Sequence, residues 1–267
     1  MRILITGATG YLGRRLVSRG TAAGHEIVRT SRSLGLDVRE RTNVLSLLGS
    51  VRPDAVIHTA SARADWTVMA DGAAHVAAAA AAVDARLVHV STDAVFPGRP
   101  DREYDETETP DPLYAYGAAK AAAETAVRGL RPDAAVVRTS MIVGGGDGAH
   151  ETLVHDMVAG RFDGVLLTDM IRKPVHVEDL ADALLELAAS DYAGILNVAG
   201  ADPINRYDLG VRIASRDGLD PSRLRTGTID SLKLRLPTDV RLDIAKARSV
   251  LRTRLRGVDE FLPAGTR

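Results

Sequence analysis

An α/β fold, a doubly wound parallel sheet of the Rossmann type with a small C-terminal lobe, is predicted by three features of this 267-residue chain. Short, nearly all-apolar runs alternate with helical stretches long enough to be crossovers, the pattern of a parallel sheet covered on both faces. A glycine turn, Thr6-Gly7-Ala8-Thr9-Gly10-Tyr11-Leu12-Gly13, follows the first run and opens a helix. Polar residues collect where the fourth run ends, at the carboxyl edge where such sheets bind ligands.

In order, strands are expected at residues 2–6, 26–30, 55–59, 86–90 and 134–138, each short and rich in Val, Ile or Leu. Helices are expected between them at 11–23, 41–48, 67–83 and 114–130, the third rich in alanine. After Val143 the run Gly144-Gly145-Gly146-Asp147-Gly148 reads as a hinge-like loop. Later helices are expected at 151–158, 178–189, 207–215 and 244–251, the third capped by Asn205 and the last by Asp243. Strands at 172–177 and 195–198 can return to the main sheet. The expected division is a dinucleotide-binding domain over 1–145, rejoined at about 172–200, with 146–171 and 201–267 forming the small lobe.

Composition removes several classes of function. With 45% hydrophobic residues, 26% charged and a net charge of -1, the chain is neither a disordered polyanion nor a basic nucleic-acid binder. Having no cysteine, it can hold no disulfide, thiolate zinc site or iron–sulfur cluster. His150 and His155 are five apart, not four, and would diverge around a helix, so no metal site is expected. The apolar run 77–82 is bracketed by Asp71, His75, Asp84 and Arg86, well short of the roughly 18 residues of a membrane span. The opening MRILITGATG lacks the h-region of a signal peptide, and a cytoplasmic protein is expected.

In the glycine turn, Gly7 suits the tight bend, Gly10 lets backbone approach a pyrophosphate and Gly13 lets helix pack on strand. Phosphate would then rest on the helix N-terminus. The acid that usually meets a ribose 2′-hydroxyl about 20 residues on is missing. Arg29, Ser31 and Arg32 surround that position instead. A guanidinium there can hold a 2′-phosphate, so NADP(H) is preferred, with NAD(H) possible. Asp37 and Val38 are candidates for the adenine edge.

Tyr116 and Lys120 are one helical turn apart on one face. A phenol ionises near 10 when unperturbed, so a neighbouring ammonium brings its proton transfer towards neutrality. Thr92, ending the fourth strand, can reach the same substrate carbonyl. Arg63, in the loop after the third strand, is a candidate for a substrate phosphate, and His176 is a further pocket candidate.

These residues resemble the extended short-chain dehydrogenase/reductases, and among them the dTDP-4-dehydrorhamnose reductase-like sugar-nucleotide reductases. The matching pieces are TGATGYLG at 6–13, HTAS at 58–61, HVSTDAVFPG at 89–98, YDETETPDPLYAYGAAKAAAE at 104–124, VRTSMIVG at 137–144 and PVHVEDLADAL at 174–184. The resemblance implies Thr92, Tyr116 and Lys120 as the catalytic triad, Lys120 also holding the nicotinamide ribose. It implies Thr59, Ala60 and Ser61, with Thr9, Tyr11 and Leu12, along the cofactor, and Asp93, Val95 and Phe96 near the substrate. Met141 stands where these reductases usually carry an aromatic residue in the sugar pocket. The expected activity is NADPH-dependent reduction of a keto group on a nucleotide-linked deoxysugar or similar polyol, by a possible homodimer. The alternatives are a cofactor-retaining epimerase or dehydratase, and a non-catalytic NADP-binding regulatory subunit. A dehydratase would carry glutamate after Thr92-Asp93, and residue 94 is alanine.

Overall fold

The structure is a computed structural model that describes residues 1–100 and 102–264; the last three residues expected in the small lobe lie outside them. Six parallel strands form the main sheet: β1 (Arg2–Thr6), β2 (Glu26–Thr30), β3 (Ala55–His58), β4 (Arg86–Thr92), β5 (Ala135–Thr139) and β6 (Gly194–Val198). Their spatial order is β6-β5-β4-β3-β1-β2. The chain reverses direction across the sheet between β1 and β3, and a crevice opens there beyond their carboxyl ends. Both strands end at this crevice, where Thr6 pairs with His58.

Alternation along the strands explains why both sheet faces need cover. Ile3 and Ile5 are buried towards α1 (Tyr11–Ala22) and α6 (Val177–Ala188), in a cluster with Leu16, Leu180 and Leu184. Leu4 points the other way, into a cluster with Val44, Val76 and Val127. These come from α2 (Arg41–Val51), α3 (Gly72–Ala82) and α4 (Ala115–Leu130). Small side chains let α3 lie close to both neighbours: Ala73, Ala77 and Ala80 are buried in that layer.

Several expectations need adjustment. β4 runs two residues further than predicted because Ser91 and Thr92 continue the ladder with Arg138 and Thr139. The helix expected over 67–83 begins as a π-helical turn, Thr67–Asp71, before α3. The segment 172–177 does not return to the main sheet. Pro174 offers no N–H to a ladder and divides it. Ile171–Arg172 pairs antiparallel with Ile204–Asn205, and Val175–His176 pairs parallel with Ile142–Val143. Only Gly194–Val198 joins, beside β5.

A third cluster comes from α5 (Ala149–Val158), α7 (Arg206–Arg216) and residues 258–262, with Val154, Leu209, Ile213 and Leu262 buried together, while Val240, Leu242, Ala247 and Leu251 pack with the main sheet. Asn205 caps α7 by accepting from the Asp208 N–H at 2.8 Å, as expected. Asp243 instead forms a local turn with the Ala245 N–H, and Ile244 takes the cap position of α8 (Ala245–Val250). The loop after β5 is clamped from below: the fully buried Glu151 carboxylate accepts from the N–H groups of Gly144, Gly146 and Gly148. No described helix is long and apolar enough to cross a membrane.

Candidate active site

Gly7 bends the chain out of β1 with φ +69°, a left-handed conformation that other residues adopt at a cost. The Gly10 N–H donates to the Gly7 carbonyl at 2.9 Å, and α1 begins at Tyr11 with no side chain capping its first N–H groups. Those donors and the positive end of the helix dipole are therefore free to meet an anion. A Cβ on Gly13 would sit 2.1 Å from the Gly7 oxygen, so its role is packing.

A cavity of about 300 Å³ lies against this turn, lined by Gly7, Thr9 and Gly10 below. Ser31 and Arg32 line it at the end of β2, Asp37 and Val38 beyond, and Thr59, Ala60 and Ser61 from β3. Arg29 is exposed and does not line it. Hydrogen bonds from Arg39 hold the Asp37 carboxyl down to about 2, so it faces the cavity as an anion already engaged. The open N–H groups, the glycine cradle and the Arg32 cation at the β2 end fit a phosphorylated dinucleotide.

A second cavity of about 600 Å³ meets the first at Thr59 and Ser61, which line both. Thr92, Tyr116 and Lys120 all line it, as do Tyr11, Leu12, Arg63, Asp93 and Met141. Gly117 makes this convergence possible, since a Cβ there would lie 2.1 Å from the Ala94 carbonyl. The start of α4 can thus press onto the turn that follows β4.

Lys120 is 5% exposed and its Nζ donates to the Val90 carbonyl at 2.7 Å. Burial pulls the ammonium down to about 8, partly opposed by the Glu124 carboxylate one turn along. Glu124 accepts from Ser91 Oγ at 2.5 Å and pairs with buried Arg138 at 2.8 Å. Burial raises the Tyr116 phenol, while hydrogen bonding with Thr92 and the charge of Arg63 pull it down and Asp93 pushes it up. The cation over the phenol ring is Arg63, 5.5 Å from the centroid.

Three sequence candidates fall elsewhere. Val95 and Phe96 are fully buried, and Phe96 stacks on Tyr104 at 4.4 Å, with the Arg138 guanidinium 4.9 Å from its ring centroid. The short helical turn Asp93–Val95 that follows β4 rotates them into the core. His176 caps α6, its Nδ1 accepting from the Glu178 N–H at 3.3 Å and from Arg256 at 2.9 Å. It packs edge-on to Phe261, outside the cavity.

Residues that the sequence reading did not place in the pocket also line the cavity. Ser140 donates to Asp93 Oδ2 at 2.7 Å, and Arg172 Nε approaches the same oxygen at 3.4 Å. His150 and Arg206 come from α5 and α7 and meet at 3.1 Å. The Glu124 network was signalled by its place one turn after Lys120; nothing local signalled Arg206.

Comparison with known proteins agrees with this geometry. The family model described as the RmlD substrate binding domain matches residues 1–264. A dTDP-4-dehydrorhamnose reductase of Mycolicibacterium smegmatis is 35% identical over 84% of this chain and 72% of its own length. A dTDP-4-keto-6-deoxy-D-glucose reductase of Streptomyces niveus is 31% identical over 84% of this chain and 81% of its own. The crystal structure of dTDP-4-dehydrorhamnose reductase from Bacillus anthracis in complex with NADP superposes with a TM-score of 0.87 at 25% identity, covering 98% of this chain and 97% of that one. The chain therefore belongs to the RmlD family, the dTDP-4-dehydrorhamnose reductase-like branch of the extended short-chain dehydrogenase/reductases.

Proposed function

We propose that this protein is an NADPH-dependent reductase of a keto group on a nucleotide-linked deoxysugar, of the dTDP-4-dehydrorhamnose reductase type. The observation that carries the reading is the convergence of Thr92, Tyr116 and Lys120 on one cavity that meets the glycine cradle at Thr59 and Ser61. The Bacillus anthracis relative, in complex with NADP, and the Streptomyces niveus keto-sugar reductase support it.

When bound, the cofactor supplies hydride to the carbonyl carbon. Tyr116 is the proton donor to the carbonyl oxygen: burial keeps its phenol protonated at neutral pH, the state a reduction requires. Thr92 orients that oxygen. Lys120, protonated below about 8, offers its charge to the cofactor ribose and the proton path. Gly7, Thr9 and Gly10 cradle the phosphates, while Ser31 and Arg32 select the 2′-phosphate. Residues 1–100 and 102–145, rejoined by α6 and β6, form the cofactor domain, and the cluster built on α5 and α7 forms the substrate lobe. The protein is cytoplasmic and can act as a homodimer.

The test is NADPH oxidation, followed by absorbance, with dTDP-4-keto-6-deoxyglucose and its 3,5-epimer. Wild type should turn over at least one of them and Tyr116→Phe neither, with NADPH binding intact in both. Bound NADPH and no turnover of either ketone would reject the reading and favour a regulatory subunit.

A further inference from the structure

Tyr114 lines the larger cavity, and neither its place in α4 nor the chemistry assigned to Tyr116 accounts for it. It holds the N-cap position of α4 in extended backbone, where its carbonyl accepts the first helical bond, from the Ala118 N–H at 3.0 Å. An asparagine, aspartate or serine there would accept from the open N–H groups of the first turn; tyrosine gives α4 no side-chain cap. The chain is fixed on both sides of it. The Asp111 N–H donates to the Val95 carbonyl at 2.8 Å, and Gly117 presses on the Ala94 carbonyl. The half-buried ring is thereby set into the cavity wall, its centroid 6.1 Å from that of Tyr116 and its plane tilted by 37°. Two phenols meeting at this angle form a corner beside the reacting carbonyl. The Tyr114 hydroxyl makes no hydrogen bond among the described residues. Burial, with Asp93 and Tyr116, pushes the phenol up to about 12 against the pull of Arg172 and Arg63, so it stays a neutral donor near pH 7.

We propose that Tyr114 is a specificity-determining residue that holds the hexose of the substrate, its aromatic face packing on the C–H bonds of one pyranose face and its hydroxyl donating to a ring substituent. A centroid separation of 6.1 Å lets one sugar touch both phenols, its carbonyl at Tyr116 and its neighbouring carbons at Tyr114. Tyrosine suits this position because its π face is electron-rich and its polar tip fixes the orientation of what it touches. A helix cap is forgone for the contact, a local conflict of the kind found where function and not stability selects the residue. The identity of the hexose rests on the reductase reading; its contact with Tyr114 does not.

The test is calorimetric titration of the NADPH-bound protein with dTDP-glucose and with dTDP, in wild type, Tyr114→Phe and Tyr114→Asn. Tyr114→Asn should weaken dTDP-glucose by about tenfold or more and leave dTDP, which lacks the hexose, within about twofold. Tyr114→Phe loses one neutral hydrogen bond and should weaken dTDP-glucose by about three- to fivefold. Asparagine can cap α4, so that variant should melt no lower than wild type, which separates loss of the contact from loss of the fold. Should it fail to fold, Tyr114→Ser, a cap of similar strength, takes its place. Wild type binding neither ligand at millimolar concentration, or Tyr114→Asn binding dTDP-glucose as wild type does or losing dTDP equally, would overturn the proposal. A phenylalanine variant as weak as the asparagine one would overturn the ring contact, and one as tight as wild type would overturn the hydroxyl contact. Because dTDP-glucose carries no ketone and no turnover is read, a protein that shows the selective loss yet reduces neither ketone rejects the reductase reading alone.

Discussion

Lys120→Met should leave the protein more stable and catalytically dead. The ammonium is 5% exposed, and burial lowers it from 10.5 to about 8. That drop corresponds to ~3 kcal/mol of native-state destabilisation at neutral pH. Methionine nearly matches the volume, and losing the hydrogen bond to the Val90 carbonyl returns about 1 kcal/mol. The net gain is about 2 kcal/mol, or roughly 5 °C in Tm for a chain of this length. Its pH dependence has a definite sign. Below about 8 both folded and unfolded wild type hold the proton, and the penalty is complete. Between about 8 and 10.5 the folded state releases it while the unfolded state keeps it, so wild-type stability rises relative to the variant. Urea denaturation of the cofactor-free proteins at neutral pH and again near the top of that window reads both quantities. A variant less stable at neutral pH, or a difference that does not change with pH, would refute the claim that function here carries a stability cost.

Three more outcomes follow from the same structure. Arg138→Met removes the guanidinium partner of the buried Glu124 carboxylate, leaving it hydrogen-bonded to Ser91, and should cost about 3–5 kcal/mol in urea denaturation. Arg32→Ala should raise the KM for NADPH about tenfold and leave that for NADH nearly unchanged, in steady-state kinetics with each cofactor. His176→Ala should lower stability by about 1 kcal/mol through loss of the α6 cap, with kcat/KM for the ketone preserved; a large loss of kcat would instead return His176 to the site.

What could be read from sequence was what local spacing encodes. The five early strands, the glycine turn and the Tyr116/Lys120 pair each depend on residues within a single element or turn, where period and offset suffice. The carboxyl-edge rule then placed Thr92 and Asp93 on the ligand side, and Ser61 came from the family resemblance. Val95 and Phe96 were misplaced because a short helical turn, Asp93–Val95, follows β4 and rotates the next side chains into the core. His176 was misread because capping a helix and lining a pocket use the same exposed polar residue type. Arg206 escaped notice, and His150 was weighed only with His155 as a metal site, because the two are far apart in the chain and meet only when α5 packs on α7. No one-dimensional pattern marks such a pair. The hydrogen bond of Lys120 to the Val90 carbonyl likewise depends on a tertiary contact with β4.

The central claim, net transfer of hydride to a nucleotide-linked ketone, is tested most directly with NADPH deuterated at nicotinamide C4 and dTDP-4-keto-6-deoxyglucose or its 3,5-epimer, the released product being read by mass spectrometry. The reductase account predicts deuterium at the former carbonyl carbon of the product, one NADP⁺ formed for each product molecule, and none of this in Tyr116→Phe. Released product without the label, or product formed while the cofactor returns to its starting redox state, would contradict it and place the protein among the cofactor-retaining enzymes.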